Sequence, residues 1–209
     1  MRLCSITLIV GLAASAAAQS APPDNPDLAR LYAEDQRDDH RAILVDEDGN
    51  AVPLDDLRAR LGELPPQLAD DVRRRIAVDS VLAAGGAQTA DDFYHAAMVY
   101  QHGADTTSYR TAHELASRAT ALDPEHADAR WLMAASWDRY LVDADRPQWY
   151  GTQYRCDEQG LRRSEPVEAG RVTDAERVAA GVQTLAEQRL LEGTPCGGTH
   201  HGNDDYDHE

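Results

Sequence analysis

The chain has no lysine; all of its 20 basic residues are arginine, against 37 acidic residues, for a formal net charge of −17. That balance argues against direct binding of DNA or RNA and against docking on anionic lipid, because both need a positive surface. A GC-rich genome or a salty habitat would each account for such a composition. No stretch reaches the roughly 18 apolar residues that a membrane span requires. There is no Gly-rich phosphate loop, no zinc-protease helix motif and no nucleophile elbow. These absences remove the commonest nucleotide, metalloprotease and serine-hydrolase readings. Hydrophobic residues still make up 42 % of the 209 residues, enough for a packed core.

The first residues have the grammar of a secretory signal. Arg2 is the positive start, Leu3 to Leu12 is a short apolar run, and Ala16-Ala17-Ala18 offers the small-x-small cleavage pattern. Residues 1–18 are therefore expected to be a signal peptide, with a buried first helix as the alternative. The chain is expected to be exported, to the periplasm or beyond. Only three cysteines are present, and Cys4 falls inside the signal. Cys156 and Cys196 remain as an even pair in an oxidising compartment, which points to a disulfide. It would close a loop of about 41 residues and contribute about 4 kcal/mol in the chain-entropy model.

Residues 19–26 read as a flexible leader, rich in Pro and small residues. A single helical domain is expected over 27–192. Leu28, Leu31 and Tyr32 mark the buried face of a first helix, which Asp35 and Gln36 continue with polar groups. Asp46 to Asn50 is a turn signal, and residues 42–53 fit a hairpin or a loop. A second helix is expected over Leu54–Leu64, ended by Pro65-Pro66, and a third through Leu68, Val72 and Ile76 to Gly85-Gly86. Thr89 to Asp92 resembles a capping box for a fourth helix, with Phe93, Ala96, Ala97 and Tyr100 as its apolar stripe. A fifth runs from Ser108 to Leu122, and a sixth from Pro124 to Val142. Ala112, Ala116, Ala119 and Pro124 have the spacing of a tetratricopeptide second helix, and Ala134 and Trp137 fit the next unit. An ordinary helical hairpin fits equally well. Gln148 to Arg155 favours extended structure, Asp157 to Gly160 a turn, and Leu161 to Val167 a returning strand. Thr173 to Glu176 is a capping box for a last helix that Gly181 breaks. The expected fold is thus mainly α: helical hairpins, a short β-hairpin, then a terminal helix. Residues 193–209 read as a disordered acidic tail. Its His200, His201 and His208 lie among Asp204, Asp205 and Asp207, groups that can ligate transition metals, but the spacing is loose and favours a solvated acidic tail, so no metal or cofactor is expected.

Chemistry-bearing residues sit inside the apolar segments. His95, Val99 and His102 share one face of the fourth helix. Asp138 and Arg139 interrupt a sixth helix that is otherwise apolar nearly all round, so they need partners. The nearest are in Arg146 to Gln153, where Gln148, Thr152 and Gln153 offer amides and a hydroxyl and Gly151 allows a sharp bend. A polar clamp on the extended segment and a lined pocket both fit; the residue types favour the clamp. In the pocket reading His102 is the acid or base, Asp138 its orienter, and Arg139 with Gln153 hold an anionic group.

Arg146-Pro-Gln-Trp-Tyr-Gly-Thr-Gln153, preceded by Asp138-Arg139, resembles the (Lys/Arg)-Pro-Gln-x-Tyr-Gly-Thr-Gln signature of a bacterial domain family of unknown function. Residues 92–97, Gln101-His102-Gly103, 129–132 and 172–177 with Gly181-Val182 are similar to one of its branches. Asp35-Gln36 matches a short early motif more weakly. The resemblance covers 89–185 well and 27–88 poorly. Residues 181–185 stand where the family has a Pro-rich link, and the cysteine pair and acidic tail lie outside its pattern. The family implies no activity or cofactor; it points to His102, Asp138, Arg139, Gln148, Tyr150, Thr152 and Gln153 as candidate binding residues. Helical hairpins present grooves for peptides or partner helices. The expected function is therefore a protein- or peptide-interaction module of the cell envelope. A small-molecule-binding or hydrolase-like protein, with its site at the junction of helix 124–142 and segment 146–153, is the alternative.

Overall fold

The computed structural model describes residues 21–37 and 43–196. The expected signal peptide (1–18) and residues 197–209 of the expected tail lie outside them. The described chain is mainly helical. Its elements are α1 (Pro26–Asp35), α2 (Leu54–Ala59), α3 (Pro66–Ala83), α4 (Ala90–Gln101), α5 (Thr106–Leu122), α6 (Ala127–Asp143), β1 (Tyr154–Cys156), β2 (Arg162–Ser164), α7 (Asp174–Ala179) and α8 (Leu185–Leu190). Among the described residues no helix is long and apolar enough to cross a membrane.

Most helix starts follow from side chains that accept the unpaired first-turn N–H groups. Asn25 accepts from the amides of Asp27 and Leu28, and Asp105 from that of Ser108. Capping boxes open α4 (Thr89 with Asp92), α7 (Thr173 with Glu176) and α8 (Thr184 with Glu187). Two expected boundaries move. The second helix ends at Ala59, and Leu61–Glu63 continues as a tight 3-10 turn before Pro65-Pro66. The sixth starts at Ala127 rather than near Pro124, because Asp123 first folds residues 123–126 into a turn, accepting from the Glu125 amide, and His126 then caps the helix. Residues 44–52 form a small hairpin, with Val45 bridged to Ala51 around the turn at Asp46.

Helix α5 packs against α4 on one side and α6 on the other, while α1 lies on α3 and α4. The close approach rests on small residues: Ala96 and Ala97 of α4, Ala112, Ala116 and Ala119 of α5, and Ala129, Ala134 and Ala135 of α6 are all fully buried. The larger core residues, including Leu28, Leu31, Leu57, Leu68, Val72 and Val99, gather where α1, α2, α3 and α4 meet. Among the described residues no further long helix follows α6. Residues 146–153 instead fold across the end of the stack as a strap, leading into the antiparallel pair β1–β2, registered Arg155 to Arg163.

The strap differs from the expected strand. Only 154–156 and 162–164 pair as a ladder, because the amides of Trp149, Tyr150 and Thr152 turn toward Asp138 of α6 rather than toward a neighbouring strand. The leader is likewise partly docked: besides the Asn25 cap, Asp24 accepts from the Thr89 hydroxyl at 2.7 Å. At the other end, Gly193 to Cys196, expected to open the tail, run along the hairpin. Arg162 N–H donates to Thr194 O at 2.8 Å, and Cys196 N–H to Gly160 O at 2.8 Å. Cys156 and Cys196 lie at disulfide distance, with Cα atoms 6.2 Å apart.

Candidate functional site

The strap is held from two sides. Asp138, in the middle of α6, is 0 % exposed. Its Oδ1 accepts from the amides of Trp149 (2.7 Å) and Tyr150 (2.9 Å), and its Oδ2 from the amide and hydroxyl of Thr152 (both 2.9 Å). Burial pushes this carboxyl above its ordinary range, and the amide bonds pull it part of the way back. All four contacts are donors, so the ionised form is the one this cradle accommodates. From the opposite side comes Arg177 of α7, also fully buried. It donates to the carbonyls of Trp149 (2.8 Å), Tyr150 (3.0 Å) and Val172 (2.6 Å). Two consecutive residues of the strap, Trp149 and Tyr150, thus give their N–H groups to a carboxylate and their carbonyls to a guanidinium.

The other motif residues complete this arrangement. Gln148 imitates a strand partner: its Oε1 accepts from Gln153 N–H at 2.9 Å, and its Nε2 donates to the carbonyls of Gln153 and Glu165. Gly151 adopts φ +89°, and a Cβ there would lie 2.1 Å from Gln188 Oε1. Gln188 of α8 donates to Tyr150 O at 3.0 Å. The Tyr150 side chain packs on Ala134, Ala180 and Val182. Arg139 and Gln153 join the strap to the end of α4. Arg139 donates to Gln101 O (2.8 Å) and to Gln153 Oε1 (3.3 Å), and Gln153 Nε2 donates to the Thr152 hydroxyl (2.8 Å).

His102 takes a different partner from the expected one. Its Nδ1 lies 2.5 Å from Oδ2 of Asp35, at the end of α1. The Asp138 carboxylate is filled by strap donors, so it does not orient His102; Asp35 does. The two residues are 67 positions apart, and α1 returning onto α4 brings them together. Around them lie the buried Asp71, Arg75, Gln101 and Asp105 and the half-buried Arg74. Arg74 pairs with Asp71, and its Nε lies 4.0 Å from Asp35. Arg75 is 4 % exposed; its Nε and the Gln101 Oε1 make no hydrogen bond. Burial pulls the Arg75 guanidinium below its ordinary range, opposed by the charges of Asp71 and Asp105. Among the described residues no group of three His, Cys, Asp or Glu is arranged to hold a metal ion.

The expected site residues therefore separate into a strap group (Asp138, Arg139, Gln148, Tyr150, Thr152, Gln153) and a group around His102, connected by Arg139. Arg177 and Gln188 were not among the expected site residues. An arginine just inside a capped, short helix reads as a surface residue, and only its burial against the strap reveals its role. Asp35 carried a signal: it continues the apolar face of Leu28, Leu31 and Tyr32. The site and fold define a domain of helical hairpins closed by a polar strap. No protein-family model matches the chain, and no curated protein or solved structure matches it.

Proposed function

We propose that the protein is an exported protein- or peptide-interaction module of the cell envelope, related to the family whose strap motif it resembles. The observation that carries this reading is that the helical stack, together with Trp149 of the strap, presents two groups of half-buried aromatic rings. One is Tyr32, Tyr94, His95 and His126; the other is His113, Trp137, Tyr140 and Trp149. Amphipathic rings of this kind are enriched at the centres of interfaces. In this reading the strap residues hold the end of the stack, and partners meet the helix faces. Export rests on the signal grammar of residues 1–18, and the cysteine pair at disulfide distance is compatible with it. Panning a displayed peptide library against the chain from Gln19 onward tests the module. Enrichment of a related set of sequences is the expected result. Failure to enrich any sequence over a folded control protein contradicts it.

The runner-up is a small-molecule site around His102. It is favoured by the buried Arg75 and Gln101 groups that make no hydrogen bond beside the His102–Asp35 pair. A thermal-shift screen of small carboxylates and amides would support it through a stabilisation that disappears in Arg75→Gln. No stabilisation by any of them speaks against it.

A further inference from the structure

Four rings from three parts of the chain meet beside the start of α4. Tyr32 of α1 stacks on His95 of α4 with ring centroids 4.6 Å apart, and Tyr94 lies 5.7 Å from Tyr32 and 5.8 Å from His95. His126, the cap of α6, lies 5.0 Å from Tyr94. All four residues are half-buried.

Among the described residues, carboxylates stand beside these rings. Asp91 Oδ1 lies 3.0 Å from His126 Nε2, and its side chain is 53 % exposed. Asp24 is exposed at the Thr89 end, and its charge acts on His95 together with those of Asp91 and Asp92. Asp91 and Asp128 act on Tyr94 in the same sense. The histidines do not offset them. The Ala129 amide donates to His126 Nδ1 at 3.2 Å, so the proton of that ring sits on Nε2, facing Asp91. Burial pulls His95 below its ordinary range. The nearby arginines are engaged elsewhere: Arg30 with Asp27 and Glu34, and Arg130 with Pro124 O.

Among the described residues four other rings carry an arginine of the same chain: Phe93 under Arg118 (4.4 Å), Tyr109 under Arg139 (5.6 Å), Trp149 under Arg171 (4.0 Å) and Tyr154 under Arg162 (3.9 Å). Among the described residues no arginine lies over Tyr32 or Tyr94. An aromatic face under a negative rim is the arrangement that attracts an organic cation, because ring quadrupole and carboxylates act in the same direction.

We propose that Tyr32, Tyr94, His95 and His126, rimmed by Asp24 and Asp91, form a docking cradle for an arginine or lysine side chain of a partner's basic peptide segment. This rests on the interaction-module reading and names its partner: a cationic segment, complementary to a chain that has no lysine and a net charge of −17.

The test uses the full chain and a blocked pentapeptide carrying one central arginine between serines and glycines. Its neutral isostere, with citrulline in place of arginine, is the control. NMR titration at physiological ionic strength is expected to move the ring signals of Tyr32, Tyr94, His95 and His126 first, and the citrulline peptide to lose most of the effect. Tyr94→Leu and Tyr32→Leu, on two different helices, are expected to weaken binding about 3- to 30-fold each, as the loss of one ring face implies. Far-UV circular dichroism and a urea midpoint close to those of the parent in both leucine variants separate loss of the cradle from loss of the fold. The proposal is overturned if the arginine peptide shifts signals diffusely over the acidic surface, if citrulline serves as well, or if either leucine variant, still folded, binds undiminished. Peptides enriched by panning that carry no basic residue would overturn the cradle while leaving the module intact.

Discussion

Replacing Asp138 by asparagine probes the strap with one atom's change. The carboxylate accepts four hydrogen bonds in a site with no solvent exposure. In Asp138→Asn the remaining carbonyl oxygen can keep facing the amides of Trp149 and Tyr150. The new NH₂ group then meets the Thr152 amide, donor against donor, and the Thr152 hydroxyl must turn its proton away and accept. Two bonds to a charged acceptor are lost, each worth about 1.5–3 kcal/mol, and buried donors are left without partners. The expected destabilisation is about 3–5 kcal/mol, a large share of the 5–15 kcal/mol that typically holds a domain. For a chain of this size that lowers Tm by roughly 10 °C. Urea unfolding followed by tryptophan fluorescence reads it directly, since Trp149 lies in the strap. Asp145→Asn is the control. That exposed residue has φ +53°, which asparagine tolerates, and it should shift stability by no more than about 0.5 kcal/mol. Thr152→Val removes one of the four bonds, and with Asp138→Asn it should show a coupling of about 1 kcal/mol or more. A loss below about 1 kcal/mol for Asp138→Asn would refute the clamp, because the strap amides would then have other acceptors.

Four further outcomes follow from the same geometry. Arg177→Met removes the guanidinium from the carbonyls of Trp149, Tyr150 and Val172 and should cost about 3 kcal/mol or more in urea unfolding, whereas Arg189→Met on exposed α8 should be near neutral. Gly103→Ala places a Cβ 2.3 Å from Ser108 Cβ at the tight α4–α5 turn and should lower stability by about 1–3 kcal/mol; a neutral result would show that the turn yields easily. Reduction, or Cys156→Ser with Cys196→Ser, should cost about 2–4 kcal/mol, and an unchanged urea midpoint in reductant would mean that the two sulfurs are not bonded. Burial raises the Asp92 carboxyl, but the amides of Gln88, Asn25 and Thr89 outweigh it, so the folded value lies below the ordinary one. Its contribution is therefore present above the unfolded value of about 4 and is lost as pH falls through the folded value. The stability gap between the parent and Asp92→Asn should shrink on acidification below about pH 4; a constant gap would contradict the assigned shift.

The helices were legible because local chemistry marks them. Capping boxes at Thr89 and Thr173, prolines at 65–66 and the alanine spacing of α5 each act within a few residues. The pairing of Asp138 with residues 149–152 was also legible as a need. A carboxylate inside an apolar helix must find donors, and the strap that follows supplies them. What could not be read is long-range closure. His102 meets Asp35 because α1 returns onto α4, and sequence proximity favoured Asp138 instead. The burial of Arg177 depends on where α7 comes to rest, which periodicity does not specify for a helix of six residues. Residues 148–153 read as a strand from their composition, yet tertiary hydrogen bonds to Asp138 override that propensity.

The most direct measurement is native-state hydrogen exchange at the amides of Trp149, Tyr150 and Thr152. If Asp138 clamps the strap, these three amides exchange only through global unfolding, with protection matching the stability from urea denaturation, and Asp138→Asn brings them out together. Exchange by local opening, as fast as that of the exposed turn at Glu158 and Gln159, would contradict it.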